Sequence, residues 1–462
     1  MATYHVENFG CRATQADGAA IERQFEIRGL IRAPAAEAEF VVLNTCTVTN
    51  SADQDARAAI RRVQRQNPAA KIVVTGCYAQ RAPEEIAVLP GVSAVIGNSH
   101  KYQLAEIVLD SPRPREVVLP ISALAENWQQ KIQTSIFVSD IFAHTELLAA
   151  PVFDGTSRTR PNLKVQDGCD NRCAFCVIPS VRGQSRSLAL QKVIDEVNTL
   201  VAAGFRELVI SGINLGRWGR DLPAGSHDFT ALIRTILGQT QLQKLRISSV
   251  EPMDWTDGLI HLIAQSPRIA KHAHVPLQSG SDSVLRRMHR RYRPWHYRGK
   301  IEKIHAAMPD AAIGADVMVG FPGESDAEFE CTRRLIEELP FTYLHVFTYS
   351  PRPGTPAASM GNQISVHLAR ERSKILRELA AQKKLAFMQR FVGTKIEAIT
   401  LASPGKDTSE DCHSETTATS HFTEALTDNY QKLFIRQEHP PNRWLQVRIE
   451  NVQDEAFVGQ LA

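Results

Sequence analysis

The chain lacks any apolar run approaching the ~18 to 20 residues that cross a bilayer. Its opening, MATYHVENFG, also lacks the basic-then-apolar order of a secretory leader. No membrane association is therefore expected, and a cytoplasmic, reducing compartment is. Net charge is nearly absent too. A balance of +3 over 462 residues is too small to name a partner, so any nucleic-acid footprint must be local. Cysteine is scarce, with eight in the chain, at 11, 46, 77, 169, 173, 176, 331 and 412. In a reducing compartment, clustered cysteines serve as metal or redox ligands more often than as disulfides. What is there is the composition of a soluble globular protein, 43% hydrophobic and 22% charged, with length for about two to four domains.

The densest cysteine cluster is QDGCDNRCAFCVIP, residues 166–179, which places Cys169, Cys173 and Cys176 in a C-x3-C-x2-C spacing. Structural zinc takes four ligands, commonly as two paired motifs, and no fourth ligand is near. A cubane [4Fe–4S] cluster has one ligand position per iron, so three thiolates leave one iron open. An open iron suits the amine and carboxylate of S-adenosylmethionine (SAM), and this spacing is the signature of radical-SAM enzymes. Phe175, between the last two cysteines, is a candidate to pack against the SAM adenine, with plain core packing as the competing reading.

Cys11, Cys46 and Cys77 each end a strand-like stretch: TYHVENFGC, EFVVLNTC and KIVVTGC. Helix-like segments follow, clearest in SADQDARAAIRRVQRQNP. This rhythm builds a parallel sheet, and its strand ends gather on one rim. The three cysteines should meet there, either as ligands of a second cluster or as small buried hydrophobes. The rhythm weakens over 107–158 and resumes with strands at NLKVQDG, ELVISGIN, KLRISSV, HAHVPLQ, AAIGADVMVG and TYLHVFTYS. Six βα units point to a partial TIM-like barrel. Ser211, Gly212, Asn214, Ser249, Gln278 and Asp316 fall at its strand ends and are candidates to bind SAM. Short strands after 391 suggest a small β-domain. Cys331, within a helix, and Cys412, in a polar loop, read as bystanders.

The residues resemble a known family, the radical-SAM methylthiotransferases, over nearly the whole chain. FGCRATQ, NTCTVTN and VTGCYAQ look like its three N-terminal cysteine motifs. QDGCDNRCAFCVIP is similar to its radical-SAM motif, and HVPLQSGSDSVLRRMHRRY, DVMVGFPGE and YSPRPGTPAA to its later barrel motifs. The resemblance implies an α/β fold of three domains and a connecting region. These are a flavodoxin-like domain (1–106) with an auxiliary cluster, a connecting region (107–158), a partial (βα)6 radical-SAM core (159–390), and a TRAM-like β-barrel (391–462). It implies two [4Fe–4S] clusters, on Cys11, Cys46 and Cys77 and on Cys169, Cys173 and Cys176. It implies a two-stage reaction, in which one SAM methylates sulfur at the auxiliary cluster and another yields the radical that activates a substrate carbon.

The implied partners are tRNA, at adenosine 37 of the anticodon loop, a sulfur source, and an electron donor such as flavodoxin or ferredoxin. The wording is closest to the branch acting on threonylcarbamoyl-adenosine; branches acting on isopentenyl-adenosine or on a ribosomal-protein aspartate are the alternatives. A non-catalytic RNA-binding protein with structural metal sites is the reading from another class. A further rival is a radical-SAM enzyme whose second cluster only relays electrons. Two features depart from the pattern. Thr14 stands where the family often has Asn, and residues 391–462 carry six Lys and Arg against eleven Asp and Glu. RNA charge is therefore expected elsewhere, in LRRMHRRYRPWHYRGK (285–300) or on Arg57, Arg61, Arg62 and Arg65, with Lys432, Arg436 and Arg443 as the few contacts from the last domain.

Overall fold

The computed structural model of the chain describes residues 1–110, 134–144, 147, 159–223, 228–402 and 422–462. Cys412 lies outside the described residues.

The first domain is a parallel sheet of β1 (Thr3–Asn8), β2 (Ile31–Arg32), β3 (Phe40–Thr45), β4 (Lys71–Gly76), β5 (Val92–Gly97) and β6 (Ser135–Phe137) in the order β2-β1-β3-β4-β5-β6. The first five follow the flavodoxin-like order 2-1-3-4-5. All six residues of β3 are buried, as a strand covered on both faces requires. Helix Asn50–Gln66 covers one face through Ala56, Ile60 and Val63. Helix Arg12–Ile27 covers the other through Ile21 and Phe25, with Leu104 and Val108 beside it. In this order the sheet reverses direction between β1 and β3. The crevice outside their carboxyl ends is where α/β sheets bind ligands. Cys11 follows β1, Cys46 follows β3, and Cys77 follows β4.

The boundary expected at 106 falls inside the helix Leu104–Asp110. Part of the expected connection returns as β6, paired parallel to β5 through Ala94 and Ser135. Three residues are too few for the sequence to show periodicity.

The second domain holds the six expected parallel strands: β7 (Asn162–Asp167), β9 (Glu207–Gly212), β10 (Lys244–Ile247), β11 (His272–His274), β12 (Ala312–Val319) and β13 (Tyr343–Thr348). A two-residue strand, β8 (Arg186–Ser187), runs antiparallel on the edge of β7. The ladders are β10-β9-β7-β8 and β11-β12-β13. They are joined by a bridge between Leu245 and Ile269 and by Val250 N–H donating to the His274 carbonyl at 3.1 Å. The result is an open, curved half-barrel with an apolar core that includes the fully buried Trp218 and Trp255. The long helix Val366–Gln389 packs on β13.

The last domain closes β14 (Lys395–Thr400), β15 (Phe422–Thr427), β16 (Lys432–Arg436), β17 (Trp444–Gln453) and β18 (Ala456–Leu461) into a barrel. Closure removes the unpaired edges of these short strands. Its β15–β16 loop is pinned to the half-barrel by Asn429 Nδ2 donating to the Asp310 carbonyl at 3.1 Å. Arg246 donates to the carbonyls of Thr427 and Asp428 in the same loop.

Candidate active site between the three domains

The loop after β7 is shaped by backbone before it is shaped by side chains. Gly168 sits at φ +72°, and a Cβ there would come within 1.8 Å of the Gln184 carbonyl oxygen. Only glycine fits, and the chain closes with Cys169 N–H donating to the Gly183 carbonyl at 3.1 Å. Cys169 Sγ then receives the Asn171 backbone N–H at 3.4 Å and Asn214 Nδ2 at 3.6 Å. Cys173 Sγ receives Arg290 Nη1 at 3.2 Å, and Arg290 Nη2 pairs with Glu251 at 2.8 Å. Burial pushes the Cys176 thiol up to about 12, with Cys173 and Cys169 close enough to add to the effect. Donors aimed at sulfur are what a cluster-bound thiolate needs.

The N-terminal trio also converges. Gly10 lies so close to Cys46 that a Cβ on it would sit 2.7 Å from the Cys46 Cβ. Burial, then Cys77, then Cys11 push the Cys46 thiol up to about 12. Cys11 is the N-cap of helix Arg12–Ile27 and makes no side-chain cap bond there. Its sulfur stands at the positive end of a helix. Thr14 Oγ1 is 3.6 Å from Cys11 Sγ, so the residue that departs from the family pattern still places a hydroxyl at this site. Among the described residues, no three His, Cys, Asp or Glu side chains are grouped around a single metal-ion position. A cluster whose irons each take one thiolate does not require that grouping.

Behind both trios lies a buried charge network. Asp17 accepts from Lys101 and Arg182, each at 3.0 Å, and from Lys164, while Arg182 and Lys164 also pair with Asp167. Burial raises the Asp17 carboxyl, but Lys101, Lys164 and Arg182 outweigh it and hold it at about 2. Cys77 and Cys11 are near enough to join Asp167 and Asp17 in holding the Arg182 guanidinium in its charged form.

A cavity of about 560 Å³ opens where the three domains meet, a size proper to a small-molecule site. Cys11 is on its wall, and so is Asn214, the side chain that touches Cys169. All six strand-end candidates, Ser211, Gly212, Asn214, Ser249, Gln278 and Asp316, line it. Ser211 Oγ and Asn214 Oδ1 are buried there without a protein partner, as groups awaiting a ligand are. Gln278 is held at φ +63° while its N–H donates to the Asp316 carbonyl at 2.8 Å, a strained backbone of the kind found at ligand sites. Phe175 is not on this wall; it packs with Met288 and Phe321. Cys331 is exposed on its helix, away from both trios.

Sequence reasoning missed the other side of the cavity, formed by Arg12, Arg246, His272, Tyr343, His345 and Tyr430. A signal was present, since HAH in a strand puts two histidines on one face. Tyr430 had none. It reaches the cavity from the last domain, at φ +66° in the β15–β16 loop, with its ring 4.5 Å from His272.

The expected basic run lies differently. Arg286 and Arg293 pair with Asp282, Arg287 with Glu328, and Arg298 with Glu338, while Tyr292 and Tyr297 are core residues. Glu328 and Glu338 come from a helix distant in sequence, which a local reading cannot see, whereas Asp282 lies four residues from Arg286 in the same helix. Arg57 and Arg62 pair with Glu85 and Glu7; Lys432 and Arg436 with Glu424 and Glu450. Arg61, Arg65 and Arg443 are exposed.

Comparison with known proteins agrees with this geometry. Residues 3–97 match the uncharacterized protein family UPF0004, and residues 163–336 match the radical SAM superfamily. The chain is 36% identical over 438 residues, 94% of its length and 91% of the relative's, to the threonylcarbamoyladenosine tRNA methylthiotransferase MtaB of Bacillus subtilis. This chain belongs to the radical-SAM methylthiotransferases. It is also 34% identical, over 85% of both chains, to the tRNA-2-methylthio-N(6)-dimethylallyladenosine synthase of Sphingopyxis alaskensis. The solved radical SAM methyltransferase TsrM of Kitasatospora setae shares the fold, with a TM-score of 0.52, 14% identity, and coverage of 78% of this chain and 77% of that one. As a radical-SAM methylthiotransferase, the protein uses SAM and a [4Fe–4S] cluster. Among the described residues no helix is long and apolar enough to cross a membrane.

Proposed function

We propose that this enzyme converts N6-threonylcarbamoyladenosine at position 37 of tRNA to its 2-methylthio derivative in the cytoplasm. The observation that carries the reading is the cavity shared by all three domains, with Cys11 on its wall and the Cys169 loop touching it through Asn214. Cys169, Cys173 and Cys176 hold the cluster that binds SAM. When bound, the cluster would supply the electron for reductive cleavage of SAM, the cofactor's own chemistry.

The protein's part is placement. Ser211, Asn214, Ser249, Gln278 and Asp316 orient SAM along the strand ends, Gly212 lets the backbone approach it, and Phe175 backs the loop of the three ligands. Cys11, Cys46 and Cys77 would hold a second cluster, which would supply the sulfur for the transferred group. The TRAM-like barrel closes the cavity from the side of Tyr430 and excludes water. An electron donor such as flavodoxin or ferredoxin and a sulfur source complete the reaction. The isopentenyl alternative is favoured by a relative, but that substituent is apolar and carries no charge to meet Arg12 on the wall.

The test uses protein reconstituted without oxygen, SAM, a reductant and a modified anticodon stem-loop. The wild type should form the methylthio product. Cys11→Ala should cleave SAM yet transfer no methylthio group, and Cys169→Ala should do neither. Full product from Cys11→Ala would remove the second cluster from the scheme.

A further inference from the structure

Building on this substrate, we infer that Arg12 receives the carboxylate of the threonylcarbamoyl group and thereby sets which modified adenosine is accepted. The argument begins with the base. On adenine, C2 and the exocyclic N6 flank N1 on the same edge, so the substituent on N6 lies beside the carbon that is modified. A residue that reads the substituent must therefore stand beside the sulfur-delivering trio. Arg12 follows Cys11 directly, and its side chain is on the cavity wall.

Its backbone is fixed where the first two domains meet, because Asn162 Nδ2 donates to the Arg12 carbonyl at 3.0 Å. Its Nη2 lies 3.5 Å from the Tyr430 hydroxyl, a long contact that leaves most of the guanidinium fork open. Among the described residues, no carboxylate is ion-paired with Arg12. The other guanidinium of the cavity is committed. Arg246 donates to Glu207 at 2.7 Å and to the carbonyls of Asp428 and Thr427 at 3.1 and 3.3 Å. His272 is no rival cation, since burial, with Arg246 adding to it, holds it well below the ordinary histidine range.

The two acids of the cavity lie on the SAM side. Glu251 is paired with Arg290, and Asp316 Oδ1 is 3.2 Å from His274 Nε2. A second carboxylate entering there would be repelled, whereas the Arg12 end offers an open, planar, bidentate donor. Tyr430, with its ring under the Arg246 guanidinium at 5.4 Å and against His272, is a positioning residue that fixes the direction of the Arg12 fork.

The experiment compares three stem-loops, carrying threonylcarbamoyl-adenosine, its carboxyl methyl ester, and isopentenyl-adenosine. Product kcat/KM is measured for wild type, Arg12→Gln and Arg12→Lys, alongside iron and sulfide content. The wild type should prefer acid to ester by roughly 10- to 100-fold, the worth of a hydrogen-bonded ion pair. Arg12→Gln should lose that factor on the acid alone and treat the ester as wild type does. Arg12→Lys, a charge without the fork, should give an intermediate ratio. If Arg12→Gln fails to retain iron, the wild-type and Arg12→Lys ratios decide.

Equal losses on acid and ester in Arg12→Gln would mean a backbone-phosphate contact and overturn the inference, as would a wild type indifferent to esterification. A wild type that modifies isopentenyl-adenosine and not the threonylcarbamoyl substrate would overturn the substrate reading as well, so the two failures are distinguishable.

Discussion

Asp17 is the residue whose loss the structure makes most costly. It is 1% exposed and receives Lys101, Lys164 and Arg182, two of which come from the second domain. Asp17→Asn keeps the shape and removes the charge, leaving Lys164 and Arg182 with Asp167 alone and Lys101 with no carboxylate among the described residues. Breaking a buried pair on one side costs about 3 to 5 kcal/mol, because the remaining charge has no compensation. The titration gives a separate lower figure. The carboxyl falls from 3.8 unfolded to about 2 folded, and at ~1.4 kcal/mol per unit that is about 2 kcal/mol.

A depressed acid stabilises above its unfolded value, so this contribution is complete above about pH 5 and disappears as pH falls from 4 towards 2. The assay is denaturant unfolding of wild type and Asp17→Asn at pH 7 and pH 3.5, followed by tryptophan fluorescence, with proteolysis to report opening between the first two domains. The variant should unfold earlier at pH 7 by at least 2 kcal/mol, and the gap should narrow at pH 3.5. A difference below about 0.5 kcal/mol at pH 7, within the range of ordinary surface substitutions, would refute the reasoning.

Three further outcomes follow from the cysteine loops. Arg290→Gln removes the donor on Cys173 and leaves Glu251 unpaired; the reconstituted protein should show weaker cluster absorbance and slower SAM cleavage while keeping its far-UV circular dichroism. Gly168→Ala places a methyl group against the Gln184 carbonyl, so iron bound after reconstitution should fall well below that of Cys331→Ala, a change at an exposed position. Gln166, whose Oε1 accepts from Asn214 N–H at 2.7 Å, holds the cavity wall proposed to bind SAM. Gln166→Ala should raise the KM for SAM about tenfold, the worth of one buried hydrogen bond, as read by 5′-deoxyadenosine release.

The two cysteine trios and the strand ends were legible in the sequence because they follow local rules. A glycine and a cysteine after an apolar strand mark a loop on the rim, and the sheet order then brings distant rims together. The six strand-end residues fell on the cavity for the same reason. What was not legible depends on meetings between domains. Tyr430 belongs to an acidic barrel, yet its loop turns it into the cavity beside Arg12. Arg290 sits in a run dense with cations and aromatics that reads as an RNA patch. Arg286, Arg287, Arg293 and Arg298 are paired with acids, and Arg290 itself donates to Cys173. The strand Ser135–Phe137 is three residues of sheet inside a stretch with no pattern.

The most direct test of the account is nucleoside mass spectrometry of tRNA from a strain lacking the gene, complemented with wild type or Cys169→Ala. The account predicts that 2-methylthio-threonylcarbamoyl-adenosine disappears, that its unthiolated precursor accumulates, and that only the wild-type gene restores the product. Loss of the isopentenyl methylthio nucleoside in its place, with the threonylcarbamoyl product intact, would contradict it.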